Sequence, residues 1–303
     1  MNKHLLKIQD MTTEDIIAVL DLADKLKYDT KNGIPHPHLA GKTLGMIFSK
    51  SSTRTRVSFE TGMYQLGGQA LFLSSADLQI GRGEPVQDTA RVLSRYLDGI
   101  MIRTFKQQDV EDLAKYGSIP IINGLTDYCH PCQILADLMT IREHKGKLEG
   151  LKAAFIGDGN NVAASLVVGC LKVGMSISVA CPEGYELDET ILEFVKPYGD
   201  KFSMVRDPKE AAAGADVIYT DVWSSMGQEG EAEKRRAAFE GIYQVNADLM
   251  SVTNDKCMVL HCLPAHRDEE ITDEVLEAHA DEIFDEAENR LHAQKAVMVM
   301  LMK

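Results

Sequence analysis

Short apolar segments alternate with helix-like segments along most of this sequence. The apolar segments predicted as strands include Thr43–Phe48, Gly99–Arg103, Lys152–Ile156, Ser176–Ala180, Val217–Thr220 and Met258–His261. Helical patterns such as 89–97, 131–144 and 161–173 lie between them. Parallel strands need long crossover connections, usually helices, so this alternation is typical of a parallel sheet covered by helices on both faces. The pattern therefore predicts an α/β fold with doubly wound parallel sheets.

The order of these segments predicts two domains. A chain of 303 residues is long enough for two domains of ordinary size. Lysines and glycines at 145–150 interrupt the helical pattern, and a new series of strands and helices begins at 152. We therefore expect a first domain at 1–145, a second at 146–285, and a C-terminal helix at 286–303 that packs back on the first domain. Because ligands bind outside the carboxyl ends of strands in doubly wound sheets, we expect them in an interdomain cleft.

Composition argues against several classes of function. Lys and Arg number 32 and Asp and Glu 46, which gives a net charge of −14. Nucleic acids and anionic membranes are bound by clustered positive charge, so neither is an expected partner. No apolar run reaches the roughly 18 residues that span a membrane, and the N-terminal segment lacks the features of a secretory signal. Six cysteines, several of them in apolar segments, suit buried thiols in a reducing compartment, and we expect a cytoplasmic protein.

The segment SKSSTRTR at 49–56 has the features of an anion site. It follows an apolar strand and precedes a helix, whose first N–H groups and dipole favour a negative charge. Ser52, Thr53 and Thr55 add hydroxyl groups, and Arg54 adds a planar fork that matches phosphate oxygens. The alternative is a capped helix start with solvated arginines.

Cysteine and glycine motifs suggest other chemistry. Cys129 and Cys132 form a C-x-x-C pair, typical of redox and zinc sites, although the sequence lacks a second such pair. A zinc site would need both of them to converge with His261 and Cys262. Cys262 beside His261 is also a candidate thiolate nucleophile. The turn Gly-Asp-Gly at 157–159 follows a strand, as in nucleotide-binding oxidoreductases, but it lacks the third glycine and the ribose-binding acid of that fingerprint.

Five segments of the chain together are similar to one enzyme family. They are FxKxSTRTR at 48–56, HPCQ with LAD at 130–137, DVWSSMG at 221–227, HCLP at 261–264 and ENR at 288–290. In this order, and over nearly the whole chain, they resemble the aspartate and ornithine carbamoyltransferases. The resemblance implies direct attack of an amine on carbamoyl phosphate, with no covalent acyl-enzyme and no metal or organic cofactor. It also implies a homotrimer whose active sites are shared between subunits.

The resemblance assigns roles to residues that contact carbamoyl phosphate. It implies that Thr55, Arg103 and His130 point at the carbonyl oxygen, where negative charge develops and preorganised donors are needed. Gln79 lies in the loop that, in the family, reaches the neighbouring subunit's site. The expected carbamoyl-phosphate contacts are Ser52, Thr53, Arg54, Thr55, Gln79, Arg103, His130, Gln133, Cys262, Leu263 and Arg290.

The segment DVWSSMG indicates the acceptor, because this loop binds the amino acid in ornithine carbamoyltransferases. Asp221 resembles the anchor of the α-amino group, and Ser225 and Met226 resemble contacts for the same end. Asn161 is similar to the residue that holds the α-carboxylate, and Cys262 to a contact near the δ-amine. The resemblance thus implies transfer to L-ornithine, giving L-citrulline and phosphate, as in arginine biosynthesis. The expected catalytic residues are Arg103, His130, Asp221 and Cys262. The alternatives are another amine acceptor (putrescine, N-acetylornithine or aspartate) and a non-catalytic binding protein on the same fold.

Overall fold

The chain divides into two compact units, which are described separately. The computed structural model describes residues 2–224 and 229–303. The first unit consists of Met1–Met139 with Glu288–Lys303, and the second of Thr140–Ala287. Because the last residues belong to the first unit, the predicted return of the C-terminal helix is confirmed. The domain boundaries placed after 145 and 285 stay predictions, and the compact units divide after Met139 and Ala287.

The first unit is built on a four-stranded parallel sheet with the order β2-β1-β3-β4. The strands are β1 Thr43–Phe48, β2 Gln69–Ser74, β3 Gly99–Arg103 and β4 Ile121–Leu125. The helices that begin in this part of the chain are α1 Thr13–Lys31, α2 Thr53–Gln65, α3 Val86–Leu93, α4 Gln107–Tyr116 and α5 Pro131–Lys145. In its core, Ile47, Ile100 and Ile102 of β1 and β3 pack with Val110 and Leu113 of α4.

The second unit is built on a five-stranded parallel sheet with the order β7-β6-β5-β8-β9. The strands are β5 Lys152–Ile156, β6 Ser176–Ala180, β7 Phe202–Val205, β8 Val217–Thr220 and β9 Met258–His261. The helices are α6 Asn161–Lys172, α7 Glu189–Val195, α8 Pro208–Ala212, α9 Ala232–Phe239, α10 Ala247–Met250, α11 Asp273–Ala278 and α12 Ala280–Met302, whose last residues lie in the first unit. Two parallel sheets with helical connections confirm the predicted α/β fold.

Strand register places candidate residues at one edge of each sheet. In the first unit Phe48 pairs with Arg103, and the Ser49 N–H donates to the Arg103 carbonyl at 2.8 Å. In the second unit Thr220 pairs with both Ile156 and His261, so the segments that follow β5, β8 and β9 start side by side. Each sheet therefore gathers its candidate residues at its carboxyl edge, as parallel α/β sheets do.

Within residues 2–224 and 229–303, no helix is both long and apolar enough to cross a bilayer. None of the six cysteines, all of which belong to the described residues, forms a disulfide.

Candidate active site

Helix α2 begins at the loop that the sequence identifies as an anion site. Ser52 is its N-cap, and the Ser52 Oγ accepts a hydrogen bond from the Thr55 N–H at 3.2 Å. Thr53 and Arg54 occupy the first turn, Thr53 exposed and Arg54 half-buried. The N–H groups of a first turn have no partners within the helix, and the helix dipole adds positive potential there. The start of α2 therefore has the geometry of an anion-binding helix terminus.

A buried lysine joins this loop to the segment ahead of His130. Lys50 forms an ion pair with Asp127, and its Nζ lies 4.4 Å from the centre of the Phe105 ring. The Asp127 N–H in turn donates to the Phe105 carbonyl at 2.9 Å. Lys50 was part of the recognised motif, but its partners lie far along the chain and local spacing did not reveal them.

Arg290 connects three helices of the first unit beside the start of α2. Its Nη1 donates to Gln133 Oε1 of α5 at 2.6 Å, and its Nη2 donates to Thr55 Oγ1 of α2 at 3.2 Å. All three side chains are buried. Gln294, one turn further along α12, accepts from Arg290 Nε at 3.0 Å in the amide orientation that satisfies its neighbours. Residues far apart in sequence are thus fixed against one another.

His130 is buried among these positive charges. Burial, and then the charges of Arg290, Arg103 and Arg54, holds the pKa of His130 well below its usual value. The imidazole is therefore neutral at neutral pH, and a neutral imidazole still carries one N–H donor. The structure thus brings together six predicted residues, which we call the arginine–histidine cluster: Arg54, Thr55, Arg103, His130, Gln133 and Arg290.

Gln79 occupies a different position. It lies exposed on a short 3-10 helix, Gln79–Arg82, between β2 and α3. Its predicted contact across a subunit boundary stays a prediction.

Asp221 follows β8 in the second unit, and its carboxylate is held from two sides. Asp221 Oδ1 accepts from the Val222 N–H at 2.8 Å and from Cys262 Sγ at 3.1 Å. Asp221 Oδ2 accepts from Asn160 Nδ2 at 2.8 Å. Asn160 is also the N-cap of α6, where its Oδ1 accepts from the Val162 N–H at 2.9 Å. We call Asn160, Asp221 and Cys262 the Asp221 cluster, a buried carboxylate with its orientation fixed.

The contact between Cys262 and Asp221 bears on the nucleophile hypothesis. As the donor in this hydrogen bond, Cys262 carries its proton and is a thiol. A reactive thiolate is usually found beside a positive charge, whereas a carboxylate disfavours it. The geometry therefore supports a contact role for Cys262 rather than covalent catalysis.

The zinc hypothesis receives no support from the cysteine pair. Cys129 and Cys132 are buried in the first unit, and burial raises the pKa of each thiol to about 12. Cys132 Sγ donates to the Asn123 carbonyl at 3.3 Å. In the second unit, ligand atoms of Asp221, His261 and Cys262 lie within 4.8 Å of one another. Both ring nitrogens of His261 already form hydrogen bonds, one with the Leu263 N–H and one with Glu270 Oε1.

Asn161, Ser225 and Met226 are the remaining predicted contacts for the amino acid. Asn161 is half-buried and is the first residue of α6, next to the Asp221 cluster through Asn160. Ser225 and Met226 lie outside the described residues. Gly159, which belongs to the glycine turn, packs closely: an added Cβ would lie 2.5 Å from the Glu186 carbonyl carbon. Packing between two loops thus explains this glycine without a nucleotide.

Sequence reasoning missed a buried ion pair near these residues. Arg235 Nη1 donates to Asp158 Oδ2 at 2.7 Å and to the Trp223 carbonyl at 3.1 Å. Burial raises the pKa of Asp158, and the charge of Arg235 opposes that shift. The partners are distant in sequence, so no local pattern signals the pair.

Both halves of the chain match family models. Residues 3–143 match the model described as aspartate/ornithine carbamoyltransferase, carbamoyl-P binding domain. Residues 149–301 match the model described as aspartate/ornithine carbamoyltransferase, Asp/Orn binding domain.

Relatives and solved structures match over nearly their whole length. Ornithine carbamoyltransferase from Carboxydothermus hydrogenoformans is 56% identical over 99% of this chain and 97% of its own. The protein of that name from Geobacter metallireducens is 54% identical over 100% of both chains. The structure of ornithine carbamoyltransferase from Pyrococcus furiosus superimposes with a TM-score of 0.94 at 53% identity, covering 99% of this chain and 96% of that one. This chain belongs to the aspartate/ornithine carbamoyltransferase family.

Proposed function

We propose that this chain is an enzyme that transfers the carbamoyl group of carbamoyl phosphate to the δ-amine of L-ornithine. The products are L-citrulline and phosphate. The observation that carries the proposal is the arginine–histidine cluster, in which Arg54, Arg103 and Arg290 act on a neutral histidine at the start of α5. Relatives matched over the full chain and named ornithine carbamoyltransferase support ornithine as the acceptor.

The donor substrate binds at the arginine–histidine cluster. Its phosphate accepts from the N–H and hydroxyl groups of Ser52, Thr53 and Thr55 and from Arg54, where the α2 dipole is favourable. Arg103 and Arg290 add charge-assisted donors, and Gln133 contacts the carbamoyl nitrogen.

The same cluster stabilises the transition state. Negative charge develops on the carbonyl oxygen as the amine attacks, and Thr55, Arg103 and His130 donate to it. The Thr55 hydroxyl accepts from Arg290 and still has its own hydrogen to donate. A preorganised donor in a buried site contributes about 3–4 kcal/mol to such a transition state.

The acceptor binds at the Asp221 cluster. The α-amino group pairs with Asp221, and the α-carboxylate is held by Asn161. Ser225 and Met226 contact the same end, and Cys262 lies near the δ-amine, with the Leu263 carbonyl beside the carbamoyl nitrogen.

Reaction then proceeds by direct displacement. An amine of this type has a pKa near 10.4 in water, so the site must take it in its neutral form. The δ-nitrogen lone pair forms the C–N bond and gives a tetrahedral intermediate. Collapse breaks the C–O bond to phosphate, which leaves with the bonding electrons, and a proton from nitrogen passes to the departing phosphate.

The proposed assembly is a homotrimer in which Gln79 of one subunit reaches the site of another. Exposed apolar surface on the first unit supports an interface. Strand β2 lies at the edge of its sheet, and Leu71 and Phe72 are exposed there, with the Arg56 guanidinium 3.8 Å from the centre of the Phe72 ring. Long apolar edge strands are rarely left open to solvent. We further propose a cytoplasmic, biosynthetic role; the related structure from Campylobacter jejuni is called anabolic.

An acceptor panel tests the function. Citrulline-type product is measured by colour reaction with ornithine, putrescine, aspartate and N-acetylornithine, each with carbamoyl phosphate. Product is expected with ornithine alone. Robust turnover with another amine would replace the proposed acceptor, and no turnover with any amine would support a binding protein instead.

A further inference from the structure

Two buried ionisable side chains lie behind the HCLP loop and have no role in the reaction proposed above. His261 ends β9, and Glu270 lies nine residues later, where 0% of either side chain is exposed. His261 Nε2 and Glu270 Oε1 are 2.9 Å apart. Burying such groups costs free energy unless they form hydrogen bonds. The hydrogen bonds of His261 and Glu270 therefore indicate which part of the structure they stabilise.

The imidazole holds the main chain of the loop. His261 Nδ1 accepts a hydrogen bond from the Leu263 N–H at 2.9 Å, so this nitrogen carries no proton. Nε2 must then carry the proton of the neutral ring and donate it to Glu270. A side-chain acceptor that binds the N–H two residues later is the arrangement of an Asx turn, here made by a histidine.

That hydrogen bond acts on a residue in a rare conformation. Leu263 has φ 55°, in the left-handed region, where a Cβ crowds the following carbonyl oxygen and raises the conformational energy. Only Leu263 and Asp268 share a positive φ among the non-glycine residues that the structure describes. The bond from His261 offsets part of this cost.

Glu270 fixes both the ring and the far end of the loop. Besides the bond to His261, Glu270 Oε1 accepts from the His266 N–H at 2.7 Å. One carboxylate oxygen therefore connects the start and the end of the segment 261–266. Cys262, inside this segment, donates to Asp221 Oδ1 at 3.1 Å.

We propose that His261 and Glu270 are positioning residues, which hold Leu263 and Cys262 in the geometry that the reaction uses. The proposal rests on the proposed function. Glu270 fixes the tautomer of His261, and His261 fixes the Leu263 main chain, whose carbonyl contacts the carbamoyl nitrogen in the mechanism above. A displacement of about 1 Å at a reacting group can reduce turnover about 100-fold. If His261 and Glu270 did not hold the loop, displacements of this size would place Leu263 and Cys262 wrongly for the reaction.

Two substitutions of His261 separate its two hydrogen bonds. In His261→Asn the amide oxygen can replace Nδ1 and accept from Leu263, but the side chain is too short to reach Glu270. In His261→Gln the amide nitrogen can replace Nε2 and donate to Glu270, but the acceptor for Leu263 is lost. Glu269→Gln is the matched control, since Glu269 is the neighbour of Glu270 and 44% of its side chain is exposed.

Kinetics and hydrogen exchange give independent readouts. We expect His261→Gln to lose about 100-fold in kcat/KM for carbamoyl phosphate, His261→Asn to lose clearly less, and Glu269→Gln to match the wild type. Amide exchange in a peptide covering 262–266 should speed up in His261→Gln and stay slow in His261→Asn. If His261 only filled space, His261→Asn would lose more kcat/KM and exchange faster than His261→Gln, because Asn leaves the larger cavity.

The proposal is overturned if His261→Asn loses at least as much kcat/KM as His261→Gln and its 262–266 peptide exchanges at least as fast. If His261→Gln does not fold, Glu270→Met replaces it and Glu269→Met is its control, because methionine removes the oxygen that accepts from His261 and from the His266 N–H. Faster exchange and lower kcat/KM than Glu269→Met support the proposal, and equality with Glu269→Met contradicts it. Hydrogen exchange needs no turnover. If the wild type forms no citrulline, the proposed function is wrong. Slow exchange of the 262–266 peptide would still show that His261 and Glu270 hold this segment.

Discussion

Replacing Arg290 with Met probes the arginine–histidine cluster directly. Methionine retains much of the side-chain length, but Gln133 Oε1 and Thr55 Oγ1 lose the donor that holds them at 2.6 and 3.2 Å. A hydrogen bond to a charged group contributes about 1.5–3 kcal/mol, which corresponds to about 10- to 150-fold in an affinity or a rate. We therefore expect kcat/KM for carbamoyl phosphate to fall about 10- to 150-fold.

The same substitution should change the pH profile in a defined direction. After burial, Arg290 is the next largest cause of the low pKa of His130, so its removal raises that pKa. A higher pKa keeps the imidazole protonated up to a higher pH. If neutral His130 is the active form, the acid limb of kcat/KM moves to higher pH in Arg290→Met.

Steady-state citrulline formation between pH 5 and 9, at varied carbamoyl phosphate, measures both effects. Arg91→Met is the control, because Arg91 is an exposed arginine of the first unit that pairs with Asp88 at 3.2 Å. It should behave as the wild type does. Turnover by Arg290→Met within about 3-fold of the wild type, with an unchanged acid limb, would refute the assigned role.

Three other substitutions test separate features. Burial lowers the pKa of Lys295 to about 8, so the unfolded chain holds this proton more tightly. The free energy of unfolding should therefore rise from about pH 8 to pH 10.5, by at most about 1.4 kcal/mol per pH unit relative to Lys295→Met, in urea titrations; parallel curves would contradict this. Arg235→Ala leaves Asp158 buried without its cation and should cost about 3–5 kcal/mol in the same assay, whereas Arg236→Ala, at an exposed pair with Glu240, should change nothing measurable. Asp221→Asn removes one charged hydrogen bond, so it should raise KM for ornithine about 10- to 150-fold and leave KM for carbamoyl phosphate unchanged. Equal effects on both substrates would argue against a contact between Asp221 and the amino acid.

Buried strands were predicted well because their sequences carry a simple signal. The predicted bounds of β1, β3, β5, β6, β8 and β9 agree with the structure, and most of their residues are buried in apolar runs. Strand β7, Phe202–Val205, was not predicted; it lies at the edge of its sheet beside β6 and is half exposed. Without a continuous apolar run, such a segment resembles a loop.

Helix ends were harder to predict because they depend on local caps. A helix at 89–97 was expected, but α3 is Val86–Leu93, so the predicted end was wrong. The helix begins directly after Pro85, which suits a helix start because it has no N–H to leave unpaired. The final helix begins at Ala280, earlier than the predicted 286.

Motifs in the sequence predicted which residues belong to the candidate site, whereas only the structure showed which of them form hydrogen bonds with one another. Thr55, Gln133 and Arg290 were each expected near carbamoyl phosphate, but their mutual hydrogen bonds join α2, α5 and α12 across long sequence separations. Asn160 was the exception. An asparagine before an apolar helix is a strong N-cap signal, and it could have been found beside Asn161 from the sequence. Its bond to Asp221 could not.

The net charge of the protein is negative, whereas the arginine–histidine cluster is positively charged. Burial of the cluster explains how the two are compatible. A net charge of −14 gives no long-range attraction for an anionic substrate. Exposed charges are largely screened beyond about 8 Å at physiological salt, whereas two unit charges 4 Å apart interact by about 4 kcal/mol at an effective dielectric of about 20. A few arginines at a buried position therefore outweigh many acids on the surface. The same burial keeps His130 neutral, so the cluster offers a further hydrogen-bond donor without another repulsive charge. We therefore propose that affinity for the donor substrate is a property of the cluster, and that the acidic surface acts mainly on the rate of encounter.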